Sequence, residues 1–322
     1  MRRAASFYPA LAFAATGFAC AALAADPLEL LSRAQASARM SNYAGLVIHV
    51  SGDRATTTRL THIWLAGEEH EKIENLDGPA REIVRHNDDM QCYYPDAKTV
   101  RLDRRITARF FPSILQAPVP SIAESYTMKL GDVDRVLGRE CQWVNLEPRD
   151  ALRFAQRLCA EITSGLLLRS ITLNAKGQVL EQFGFTELRA GSQVSRGEVK
   201  STFHSQSKGW QTDSLPREEA KAVITGWQVA NPPAGFRKVA EMRRSMPGRT
   251  LPVSQLVFSD GLASFSVFIE PAGANARTAE TTSEEGSFSV FMRPLGDQQV
   301  TVLGEVPAAA VQMVGRSVAR KP

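Results

Sequence analysis

Period-two alternation of apolar and polar residues runs through most of the chain, and it is clearest in the last third. In the stretch 256–271, Ala263, Phe265, Val267 and Ile269 point one way, while Ser264, Ser266, Phe268 and Glu270 point the other. That is the pattern of a half-buried antiparallel strand. Ser259-Asp260-Gly261 predicts the tight turn before it, because glycine accepts a positive φ and aspartate can bond its own backbone. More polar runs of the same kind recur upstream, at 43–50, 57–65, 69–75, 82–86, 89–94 and 99–102. In 69–75 one side is polar and the other carries Ile73. Longer strands are expected at 126–130, 135–146, 154–162, 166–173 and 179–188, and a further strand pair at 287–292 and 298–303. These runs are too polar to be covered on both faces, so the sheets are expected to be antiparallel with one wet face.

Helical spacing is rarer. Pro27–Met40 has Asp26 as N-cap and Pro27 in its first position, with Leu28, Leu31, Ala34 and Ala38 along one side. The stretch 307–318 is amphipathic, with Val311, Val314 and Val318 on one side. Two segments break the pattern. In 106–122, Phe110, Phe111, Ile114 and Leu115 lie among Pro112, Pro118 and Pro120, which make a poor strand or long helix. This segment is either a lid or cleft wall, or a loop whose aromatics plug the core. The stretch 206–217 is polar, carries Gly209 and Pro216, and is expected to link two units, 26–205 and 218–322. The stretch 275–286 is polar and is expected to be mobile.

Composition adds a location. At 322 residues, 43% hydrophobic and 22% charged, the chain suits two ordinary soluble domains. Residues 1–25 differ from the rest: Arg2 and Arg3 precede an uncharged, alanine-rich apolar run ending in Ala22-Leu23-Ala24. This predicts a cleaved signal peptide and a mature chain starting near Asp26. The rival reading, a membrane anchor, meets a run that is short for a span. Taking Arg2 and Arg3 from the formal charge of +4 leaves +2, which gives no case for nucleic acid as a partner. Three cysteines remain, Cys92, Cys141 and Cys159. In a hairpin turning near Asp150, Cys141 and Cys159 would face each other and form a disulfide; otherwise all three are buried thiols.

No catalytic constellation is visible. There is no Walker, GxGxxG, GxSxG or HExxH motif. His49, His62, His70, His86 and His204 sit singly on different predicted strands without metal-ligand spacing, so neither a metal nor a cofactor is expected. One cluster has a chemical reading. Lys98, Arg101, Arg104, Arg105 and Arg109, opposed by Asp103, lead into Phe110, Phe111, Ile114 and Leu115. Cations beside apolar groups suit an amphiphile with an anionic head, while a solvated strand edge protected by charge is the plainer reading.

The stretches LVFSDGLASFSVFIEP and GDQQVTVLGEVP resemble the C-terminal domain of the RseB/MucB family of periplasmic regulators. ENLDGPAREIVR and LEPRDALRFAQRL…TSGLLLRS resemble its N-terminal domain. The resemblance implies a mainly antiparallel β (α+β) fold. Its large domain would be a half-open barrel similar to the lipoprotein carriers LolA and LolB, and its small domain a sheet with a helix. It further implies a non-enzymatic periplasmic protein that binds the periplasmic region of an RseA/MucA-type membrane anti-sigma factor. Binding would shield that partner from regulated proteolysis until lipopolysaccharide or another amphiphile releases it. Within this reading Phe258 and Phe268 are candidate partner contacts, and homodimerisation is left open. A periplasmic lipid or lipoprotein carrier is the alternative.

Overall fold

The computed structural model describes residues 26–104, 110–214, 224–244, 251–273 and 276–321. The expected signal peptide therefore lies outside the described residues. The large unit is one twelve-stranded sheet. Its first six strands are β1 (Tyr43–Ser51), β2 (Arg54–Leu65), β3 (Glu68–Asn75), β4 (Glu82–His86), β5 (Asp89–Tyr94) and β6 (Thr99–Arg104). The others are β7 (Tyr126–Val136), β8 (Arg139–Pro148), β9 (Ala155–Glu161), β10 (Leu167–Leu173), β11 (Val179–Ala190) and β12 (Gln211–Ser214). The strand order is β12-β6-β5-β4-β3-β2-β1-β11-β10-β9-β8-β7. Neighbours are antiparallel except β12, which pairs parallel to β6. The stretch expected as a linker thus supplies an edge strand before it passes out of the described residues at 215–223.

Helix α1 (Pro27–Met40) begins where Asp26 accepts a hydrogen bond from Leu28 N at 3.0 Å. Leu30, Leu31, Ala34 and Ala38 are buried in a core built from nearly every strand of the sheet. The 106–122 segment completes that core. Phe111, Ile114 and Leu115 are buried, and Gln35 of α1 donates to the carbonyls of Leu115 (2.9 Å) and Ala117 (2.7 Å). A short helix α2 (Val119–Ala123) follows and buries Val119 and Ile122. Of the two readings of this segment, the core plug describes Phe111, Ile114 and Leu115.

Two expectations are corrected. First, 135–146 is not one strand. Leu137 and Gly138 both have positive φ, 52° and 76°, and form the two-residue turn between β7 and β8, the geometry that matches strand twist in hairpins. Second, the side of β3 that carries Ile73 is partly ionic: Glu69 and Glu71 share it and are buried, because Arg85 reaches them from β4. The hairpin β8–β9 is also offset from the expected register. Trp143 opposes Cys159 and Cys141 opposes Glu161, so Cys141 and Cys159 are diagonal neighbours; their Cα atoms are 5.4 Å apart and they are disulfide-bonded. Cys92 is a buried free thiol.

The small unit is a six-stranded antiparallel sheet and a helix. Its strands are β14 (Arg237–Arg244), β15 (Val253–Ser259), β16 (Ser264–Pro271), β17 (Thr281–Glu285), β18 (Phe288–Leu295) and β19 (Gln298–Gly304), in the order β14-β15-β16-β19-β18-β17. A separate pair, β13 (Trp227–Val229) with β20 (Val318–Arg320), closes one end. The polar 275–286 stretch holds β17, a fully exposed edge strand. Helix α3 (Ala308–Arg316) lays Val311 and Val314 on the sheet, and Gly315 lets it approach closely, since a Cβ there would meet Phe291 at 2.3 Å. Val318 belongs to β20 rather than to the helix, and is buried in the same core.

Candidate interdomain binding site

The β15–β16 turn is built locally and then used across the two units. Asp260 Oδ1 accepts from Leu262 N (2.9 Å) and Ala263 N (2.7 Å), and Ser259 Oγ accepts from Gly261 N (2.9 Å). These bonds satisfy the turn from within and leave Asp260 Oδ2 facing the large unit. There it accepts from Arg153 Nε at 2.6 Å. Arg153 also donates to Asp150 and to the carbonyl of Ala234, and its guanidinium lies 4.6 Å from the Phe236 ring centre. One large-domain arginine thereby holds two segments of the small domain. Burial works against its charge, but the Asp260 hydrogen bond and the Asp260 and Asp150 charges hold its pKa above the ordinary arginine value.

Backbone contact completes the junction. Gln116 N donates to Gly261 O at 2.7 Å. Gly261 has φ 94°, and a Cβ there would stand 2.3 Å from the Ala117 Cβ. Gly235 (φ 81°) would put its Cβ 2.4 Å from Ser125 Oγ. Both sites need glycine for its backbone and for its lack of a side chain. A second contact lies at the other end of the small sheet. Glu181 on β11 binds His49 Nε2 (2.6 Å) and accepts from Ser287 Oγ (2.8 Å). Beside the first contact is a cleft of about 270 Å³. Gln116, Pro118 and Glu124 form one wall, and Arg237, Val239 and Ser264 the other. Part of its small-domain wall is the edge strand β14, on which Arg237, Lys238, Val239 and Arg243 are exposed. An edge strand offers unpaired backbone groups to an incoming extended segment.

The residues singled out from sequence fall elsewhere. Arg101 is half-buried, pairs with Asp213 of β12 at 3.1 Å and lies 5.8 Å from the Tyr94 ring centre. Arg104 ends β6, and Arg105 and Arg109 lie outside the described residues. Phe110 is half-buried against the core, and Phe111 packs on Phe185 and Phe183 with centres 5.3 and 6.1 Å away. Phe258 is buried and stacks on Phe265 at 5.1 Å, whereas Phe268 is half-buried on the opposite side of that sheet. Neither borders the cleft. Arg153 and the 116–124 wall carried no motif. The available signal was one arginine directly before the expected strand 154–162.

Family models match both units: the MucB/RseB N-terminal domain over residues 26–203 and the MucB/RseB C-terminal domain over residues 221–319. The chain belongs to the MucB/RseB family. The sigma factor AlgU regulatory protein MucB of Pseudomonas aeruginosa is 30% identical over 302 residues, 92% of this chain and 91% of that protein. The sigma-E factor regulatory protein RseB of Escherichia coli K12 is 22% identical over 290 residues, 90% of this chain and 89% of that protein. A chain in the solved MucA/MucB complex of P. aeruginosa superposes with a TM-score of 0.75 at 29% identity, covering 92% of this chain and all of that one. A solved structure of MucB with MucA(peri) gives 0.73 at 28% identity.

Proposed function

We propose that this protein is an exported regulator that binds the periplasmic region of a MucA-type membrane anti-sigma factor and thereby keeps an envelope-stress sigma factor sequestered. The observation that carries the reading is the likeness to MucB solved with MucA, which spans both units and not the large one alone. An extended partner segment would lie along the interdomain cleft, with β14 offering backbone groups and the 116–124 wall offering shape. Bound there, the segment is shielded from proteolysis. An amphiphile such as lipopolysaccharide would favour the partner-free state and weaken partner binding by the same factor by which the partner weakens its own.

Calorimetric titration with the periplasmic segment of a MucA-type protein tests the first step. Saturable one-to-one binding supports the reading, and its absence removes it. Limited proteolysis of that segment, with and without this protein, tests the shielding. Adding lipopolysaccharide to the preformed complex tests the release.

A further inference from the structure

Away from both domain contacts, β3 and β4 bring three ligand-type side chains together. His70 and His86 are direct partners across the ladder. Glu68, two residues before His70, shares their side of the sheet. The two imidazoles stack with ring centres 4.6 Å apart and 14° between planes. Glu68 Oε2 stands 3.3 Å from His86 Nε2 and 3.7 Å from His70 Nε2. One ligand atom from each of the three residues lies within 4.8 Å of the other two. Among the described residues, His70 Nε2 is buried and has no hydrogen-bond partner. A buried polar atom in that state is unfavourable, and a Lewis acid at the mouth of the cluster would satisfy it.

We propose that Glu68, His70 and His86 form a site for a divalent transition-metal ion of the Zn(II) type, bound through the two imidazole Nε2 atoms and one Glu68 carboxylate oxygen. Two imidazoles and a carboxylate are a recurrent zinc donor set that leaves a fourth position for water. Ions such as calcium and magnesium take oxygen donors throughout, and the three side chains supply no thiolate for Cu(I). In a tetrahedral zinc site, ligand atoms sit about 3.3 Å from each other, so the cluster must tighten modestly. The Glu68 and His86 side chains are about half exposed, 51% and 50%, which leaves room for that adjustment. Arg196 opposes the ion: it is exposed on the segment packed over β3, and its charge acts on His70.

The test uses the untagged protein. Co(II) is titrated in while its visible d–d absorption is followed, and Zn(II) is then added in competition with a chromogenic chelator. One ion per chain is expected, with Zn(II) displacing Co(II). His86→Ala and Glu68→Ala change exposed side chains, and each is expected to raise the dissociation constant about tenfold or more. Arg196→Ser is expected to tighten binding. His204→Ala, an exposed histidine outside the cluster, is the control expected to leave binding unchanged. An unaltered far-UV spectrum shows that each variant is folded. The proposal is overturned if the wild-type protein takes up no stoichiometric ion, or if the double variant His70→Ala/His86→Ala retains it.

Discussion

Arg85 and Arg153 are matched in almost every respect except where their partners lie. Each side chain is 1% exposed, and each grips two carboxylates: Glu69 and Glu71 for Arg85, Asp150 and Asp260 for Arg153. For Arg85 both partners sit on the adjacent strand β3, so the charges are settled inside one sheet. His62 adds a contact to Glu69 at 3.2 Å and stacks on Tyr43. For Arg153 one partner is three residues away and the other belongs to the second domain. Replacing a buried ion pair by apolar residues is often neutral for stability, while removing one partner is strongly destabilising. The first arginine therefore secures a sheet whose inner side is partly ionic. The second fixes how two domains face each other across a junction where Leu262 of the small one enters the core of the large one.

The largest effect expected is from Arg85→Ala. It leaves Glu69 and Glu71 buried without their cation and should destabilise the large domain by about 3–5 kcal/mol in urea unfolding. The small-domain transition should stay where it is. A shift of both transitions together would break the distinction between the two arginines. Arg153→Ala should act differently. Asp260 keeps two backbone donors, so the expected loss is about 1–3 kcal/mol. It should appear as looser domain placement, read as a wider distance distribution between spin labels on the two domains. Gly261→Ala comes next, with a positive φ and an approach to Ala117 that leaves no room for a methyl group. It should loosen the same junction by about 1–3 kcal/mol, with little change in the melting of either sheet.

Acid sharpens the contrast between the two cores. For Glu69, burial works against ionisation, but hydrogen bonds from His62 and Arg85 and the Arg85 charge hold its pKa well below the usual carboxylate range. In the small domain burial likewise opposes the charge on Glu241, but bonds from Lys238, Thr225 and Lys321 bring its pKa down to about 2 from the usual 4.5. Both groups have depressed folded-state values. Their contribution is therefore complete above the unfolded carboxylate pKa and is lost as the pH falls through the folded one. The small domain should lose stability between pH 4.5 and about 2, and Glu241→Gln should flatten that part of its stability curve. The smallest effect is expected at the Lys129–Glu147 pair, whose side chains are 58% and 52% exposed. Lys129→Ala should change stability by less than about 1 kcal/mol.

Strand existence was legible because alternation and glycine turns are local signals. The β15–β16 hairpin, the capped helix α1 and the meander from β1 to β6 all follow from them. What failed depended on partners distant in sequence. The ionic pairing of Glu69 and Glu71 beside Ile73 was not legible, because Arg85 lies fourteen or more residues away. His70 and His86 looked solitary because only strand register makes them neighbours. The interdomain site was the least legible part. Asp260 was visible as a turn former, but its second oxygen bonds an arginine 107 residues earlier, and nothing in the spacing of either residue marks that contact.

In the proposed binding mode, the partner lies across two domains whose placement Arg153 and Asp260 set. The most direct test is to titrate the periplasmic segment of a MucA-type anti-sigma factor into the wild-type protein and into Arg153→Met, which keeps the bulk and removes the charge. Affinity is expected to fall about tenfold, roughly 1.4 kcal/mol, while both domains remain folded. Equal affinity for the two proteins would contradict it.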